Sequence, residues 1–178
     1  KLYRRYTGES LAVKLSDFAD VSERIQYLVT QVEEITKIDN FGAYLTAMLE
    51  IDAFFMNEDR HTNNIAVIYN EKTQKYELSP FFDQGLCMFA DINQDYPIDQ
   101  SLEYCLEKIE AKPFSSDFDI QLDAAEELYG VQIGFQFTFK DIQIYLQKNS
   151  ENYPREVIRR VEQLLRGQMR KYGYLMKK

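Results

Sequence analysis

The chain has no tryptophan, two cysteines and seven glycines among its 178 residues, and each scarcity closes off a class of protein. Cys87 and Cys105 offer no metal-ligand spacing and are too few for a disulfide framework, which suits two buried thiols in a reducing cytosol. The glycines are scattered, so no Gly-rich loop is present to cover a nucleotide. No apolar run approaches the ~18 residues that span a bilayer, and the basic start KLYRRY is not followed by a signal-type apolar region. A soluble, cytoplasmic protein without membrane contact is expected. Basic side chains are in deficit, 21 against 29 acidic, and the net charge of −8 makes attraction to a phosphate backbone poor. Nucleic acid is therefore not the expected direct ligand.

What is abundant is apolar and aromatic. Apolar residues make up 45% of the chain, with thirteen Tyr and twelve Phe, enough for one aromatic-rich core and short for two. A single domain over residues 1–178 is expected. Most of it reads as helix. Phe18, Val21, Ile25, Leu28, Val32 and Ile35 recur at three- and four-residue steps, predicting a helix to about Lys37 with Ser16 or Asp17 placed to cap it. A second helix, about Phe41 to Phe55, is expected to be central and buried. Later helices are predicted at about 100–110, 117–129, 138–149 and 154–176, while Val131–Phe139 alternates like a strand or joins two helices as an extended link.

One stretch departs from this pattern. From Ile51 to Gly85 an apolar run gives way to a polar loop, Asn57 to Asn63, then to a β-branched run and a turn-like NEKTQK: a buried helix, a loop and a hairpin over Ile65–Leu78. Asp59 and Asn64 have the interval that separates the base Asp and the metal-binding Asn of a protein-kinase catalytic loop, and Asp83-Gln84-Gly85 occupies the place of Asp-Phe-Gly. Phosphoryl transfer needs a carboxylate to orient the attacking hydroxyl and oxygen donors for magnesium. Asp59 suits the first task, Asn64 and Asp83 the second, with the hairpin setting the distance between the two donors. Gly85 is expected to permit a turn that a Cβ would resist. His61 either orients Asp59 or the phosphates, or braces the loop. Arg60 is expected to pair with a carboxylate rather than a phosphate, and Asp52, an isolated acid on an apolar helix, to be a structural brace.

The order Asp59-Arg60-His61-x-x-Asn64 preceded by Asn57, within FMNEDRHTNNIAVI, followed by SPFFDQGL and PFSSDFDIQLDAAEELYG, resembles the HipA-like bacterial serine/threonine kinases over roughly residues 40 to 130. The D-R-H-x-x-N run is also similar to phosphoinositide kinases. The HipA-like resemblance implies a mainly α, helical kinase-like C-terminal lobe whose small β-hairpin carries the catalytic and metal-binding residues. It implies ATP and Mg2+ as cofactors, Asp59 and His61 in catalysis, Asn64 and Asp83 on the metal and nucleotide, and a protein serine or threonine as acceptor. An antitoxin-like protein is a further partner it suggests. Leu11-Ala12-Val13-Lys14 mimics the kinase strand that carries an ATP-anchoring lysine, but no strands precede it. The nucleotide-covering lobe is thus expected to lie outside these residues, the chain to be a fragment, and transfer to be weak without that lobe. After Gly85, Asp91, Asp95 and Asp99 form an acidic segment that either favours basic substrates or is simply solvated. A small-molecule or lipid kinase lobe and a noncatalytic partner-binding module remain alternatives.

Overall fold

Two short helices open the chain, α1 (Leu2–Thr7) and α2 (Leu11–Ser16), in a computed structural model that describes residues 1–177. Ser16 ends α2 by donating its hydroxyl to the Val13 carbonyl, and Asp17 pairs with Lys14 at 3.2 Å, so neither caps the next helix. That role falls to Asp20, whose carboxylate accepts the Glu23 N–H at the start of α3 (Val21–Thr36). Lys14 therefore lies on a helix and meets Asp17 at the surface, away from any sheet. Helix α3 stops where Lys37 turns left-handed (φ 63°).

Helix α4 (Phe41–Phe55) is the axis of the fold. Ten of its fifteen residues are buried, on all sides rather than along one stripe. Its first half, Phe41, Leu45 and Leu49, packs with Ile25, Leu28 and Val29 of α3 and with Phe114, Ala124 and Ala125. Its second half, Ala53 and Phe54, packs with Phe89, Tyr96, Leu122, Leu164, Leu165, Tyr172 and Leu175. Each large aliphatic or Phe side chain among them contributes about 1.5–3 kcal/mol by leaving water. One helix thus joins two halves of the core.

Beyond α4 come a 3-10 turn at Thr62–Asn64 and two antiparallel strands, β1 (Val67–Asn70) and β2 (Lys75–Leu78), with Val67 opposite Leu78 and Asn70 opposite Lys75. Asn70 builds the connection by accepting the N–H groups of Lys72 and Thr73 on its side-chain oxygen. Four helices follow: α5 (Leu102–Lys108), α6 (Phe118–Tyr129), α7 (Phe139–Lys148) and α8 (Arg155–Lys171). Ser101, Asp117 and Thr138 cap the first three of these, and Thr138 and Asp141 complete a reciprocal capping box. The domain is mainly α with a two-stranded sheet.

Of the two forms expected for Val131–Phe139, the extended link between α6 and α7 is the one present, with Phe135 making a single parallel bridge to Met176. The alternation is instead spent on the core, where the Phe135 ring sits 4.5 Å from that of Phe54 and Phe137 packs edge-on to it. The last helix ends at Lys171, and a 3-10 turn, Gly173–Leu175, carries Leu175 inward. Among the described residues no helix is long and apolar enough to cross a membrane.

Candidate functional site

The loop after α4 begins at Met56, whose left-handed backbone (φ 54°) ends the helix and turns the chain back toward Asp52. Asp52 and Arg60 are both completely buried and paired: the guanidinium meets both carboxylate oxygens, at 2.7 and 3.0 Å. Asn57 donates a third hydrogen bond to Asp52, at 2.7 Å. Burial pushes the Asp52 carboxyl up from its ordinary range, and the Arg60 hydrogen bonds and charge pull it back. The expectations of a brace at Asp52 and a carboxylate partner for Arg60 are thus one interaction.

The remaining Arg60 nitrogen, Nη1, donates to the carbonyls of Asn64 and Phe82, both at 3.0 Å. One nitrogen therefore fastens the backbone at Asn64 to that at Phe82, the residue before Asp83. The tie lies outside the hairpin ladder, whose strands pair only between 67 and 78. Asn64 is itself buried and gives its amide N–H to the Asp59 carbonyl at 2.9 Å. That assigns its nitrogen and leaves Oδ1 as the end available to a cation.

Asp83 is exposed and holds a left-handed backbone (φ 58°). Asp tolerates that region better than most residues, and such conformations cluster at functional sites. Gly85 does not supply the turn expected of it: its φ is not positive, and a Cβ there would meet open space. The unusual backbone belongs to Asp83, two residues earlier.

Asp59 presents a partly exposed carboxylate, 29% accessible, with its N–H turned to the Asn57 side-chain oxygen. His61 braces the turn through its backbone, donating to the Asp59 carbonyl and accepting from the Asn64 N–H, both at 2.8 Å. Its ring Nδ1 is buried without a protein partner among the described residues. Beside Asp59, Glu58 accepts the Tyr96 hydroxyl at 2.5 Å, and burial pushes its carboxyl up. The half-buried Cys87 thiol is pushed up to about 12, first by burial and then by the Asp52 charge, which disfavours its thiolate.

One residue that sequence reasoning takes only as part of a helix break, at Lys112-Pro113, stands beside Asp59. Lys112, on the connection between α5 and α6, places Nζ 3.9 Å from Asp59 Oδ1. Nothing in its local sequence links it to Asp59.

Magnesium is ordinarily held by one or two protein oxygens plus phosphate and water. Among the described residues no three His, Cys, Asp or Glu side chains gather as a metal-binding group. The Asn64 Oδ1 and the Asp83 carboxylate are hard oxygen donors of the type that sparser arrangement uses. A cavity of about 490 Å3 opens on the other side of the 3-10 turn, between α1, α3 and β1, and is lined by Thr62, Asn63, Ile65, Val67, Leu28 and Val32 among others. No protein-family model, curated protein or solved structure matches the chain.

Proposed function

We propose that this chain is the catalytic lobe of a HipA-like kinase, transferring a phosphoryl group from ATP to a serine or threonine hydroxyl of a protein. The observation that carries the reading is the buried Asp52–Arg60 pair whose free nitrogen holds the carbonyls of both Asn64 and Phe82. A coincidental Asp-Arg-His triplet in a solvated loop would have no use for an arginine without solvent exposure, joined to the segment that bears the second acid. Phosphoryl transfer does, because positioning supplies most of its catalysis.

In this reading Asp59 accepts the proton of the attacking hydroxyl, and its partial exposure leaves room for that hydroxyl to approach. Asn64 and Asp83 would hold magnesium, and magnesium-ATP would supply the transferable group and the countercharge. His61 keeps Asp59 and Asn64 in register through its two backbone bonds, while its buried ring Nδ1 has no protein partner among the described residues.

The test is Asp59→Asn in the full-length protein, with labelled phosphate followed from ATP to protein. Transfer is expected to fall by about 10²- to 10⁴-fold, with an unchanged unfolding transition, because the side chain is nearly isosteric and on the surface. Equal transfer by the two proteins would remove Asp59 from the role and the reading with it.

A further inference from the structure

The loop that would receive a phosphate has no exposed cation of its own. Arg60 is fully buried, and its Nε, Nη1 and Nη2 are committed to Asp52 and to two carbonyls. Around the same place stand the carboxylates of Glu58, Asp59 and Asp83. A triphosphate approaching Asp59 closely enough to react would meet like charge, and magnesium on Asn64 and Asp83 offsets only part of it.

Resting on the phosphoryl-transfer reading, we propose that Lys112 is the residue that binds the phosphoryl group as it passes to the acceptor at Asp59. Its ammonium lies 3.9 Å from Asp59 Oδ1, too long for a hydrogen bond, so its three N–H donors are not committed there. The side chain is half exposed and its charge also reaches Glu58. The backbone that presents it is fixed on both sides. Buried Ala111 donates its N–H to the Ser116 carbonyl at 2.8 Å, and the carbonyl of buried Phe114 is held by Arg24 Nη1 at 2.7 Å. A long flexible stem thus stands on a fixed base. The neighbouring Lys108 is already engaged, with Asp95 at 2.8 Å.

In the step, the acceptor oxygen forms a bond to the γ-phosphorus, and the bond from that phosphorus to the β–γ bridging oxygen breaks with its electron pair left on ADP. The hydroxyl proton passes to Asp59. Lys112 keeps its protons and donates hydrogen bonds to a non-bridging oxygen of the group in transit, where negative charge is spread. Such a contact strengthens in the transition state, so its loss falls on kcat more than on KM.

The experiment compares the full-length protein with Lys112→Gln, Lys112→Arg and Asp59→Asn, measuring kcat, KM for magnesium-ATP and the thermal midpoint. Lys112→Gln is expected to lower kcat about a hundredfold with KM within about threefold and the midpoint unmoved, and Lys112→Arg to restore part of the rate. A Lys112→Gln protein that keeps its kcat while Asp59→Asn loses transfer overturns the Lys112 assignment and leaves the phosphoryl-transfer reading in place. A loss of rate matched by a falling midpoint overturns it too, by making Lys112 a prop of its loop. If the unaltered protein transfers no phosphate, the reading and the assignment fall together.

Discussion

Asn64 turns its amide nitrogen onto the backbone carbonyl of Asp59, 2.9 Å away, and so fixes which end of its side chain faces outward. An aspartate there would be nearly the same shape and a better metal ligand in isolation, yet it cannot donate to that carbonyl. Asn64→Asp is therefore expected to lose transfer by about tenfold or more through a displaced loop, and Asn64→Ala to lose more, with a weakened response to magnesium. A magnesium titration of transfer rate for both variants checks this. An Asn64→Asp protein at full rate would sever the loop bond from catalysis.

Removing one member of the Asp52–Arg60 pair leaves a buried, uncompensated charge, which costs roughly 3–5 kcal/mol. For a chain of this size Arg60→Met or Asp52→Leu alone is expected to lower the thermal midpoint by roughly 10 °C. The double variant is expected to recover part of that stability and none of the transfer, because the carbonyls of Asn64 and Phe82 no longer share a donor. Calorimetry on the three variants separates stability from tethering. Recovery of both together would assign Arg60 to packing alone.

The acid side of the stability curve follows from five carboxyls, of which buried Asp52 is raised above 3.8 by burial against the pull of Arg60. Glu50, Glu58 and Glu126 are each pushed above the ordinary 4.5, chiefly by burial. In the window between 4.5 and their raised values the folded chain binds protons that the unfolded chain has released, so stability falls as pH rises through it. Asp141 is the opposite case: its hydrogen bonds with Thr138 hold it below 3.8, and its contribution is lost only as pH falls beneath that value. The thermal midpoint is expected to rise as the buffer is taken from pH 7 toward 4.5 and to turn down below 3.8. Glu58→Gln is expected to flatten the first limb. A midpoint that falls steadily from pH 7 downward would contradict these shifts.

Gly42 of α4 packs against the ring of Tyr129 at the end of α6. A Cβ at that position would lie 2.5 Å from two ring carbons of Tyr129, closer than packed atoms can stand. Gly42→Ala is expected to cost about 1–3 kcal/mol in urea denaturation, and Tyr129→Leu in the same chain to return most of it. A Gly42→Ala protein at least as stable as the parent would show that the Tyr129 ring moves aside freely.

Helices α3, α4 and α6 were legible because apolar residues at three- and four-residue steps and plain punctuation at Asn40, Asp117 and Gly130 leave few alternatives. Helix α2 was not: six residues are too few to show a period, so Ser16 read as the start of the next helix instead of the end of its own. Residues 131–137 alternate as a strand does, yet a strand needs a partner of matching length, and that is a property of the whole fold. The site divides the same way. Asp59, Asn64 and Asp83 could be chosen from spacing within one stretch. That Arg60 would meet Asp52 depends on the left-handed turn at Met56, and that Lys112 would reach Asp59 depends on how the α5–α6 connection is pinned by Arg24. Neither leaves a mark on nearby residues.

Arg160, buried on α8, donates to the backbone carbonyls of Tyr96, Pro97, Ile98 and Gln100, all within 3.0 Å, and contacts no side chain among them by hydrogen bond. A clamp on carbonyls is indifferent to spelling. Residues 97–100 can be rewritten, Asp99 from acidic to basic for instance, while the segment keeps its path beside the site. The path of the segment after Gly85 is thus held independently of the side chains it presents, and surface substitutions can change its charge without rebuilding the fold beneath.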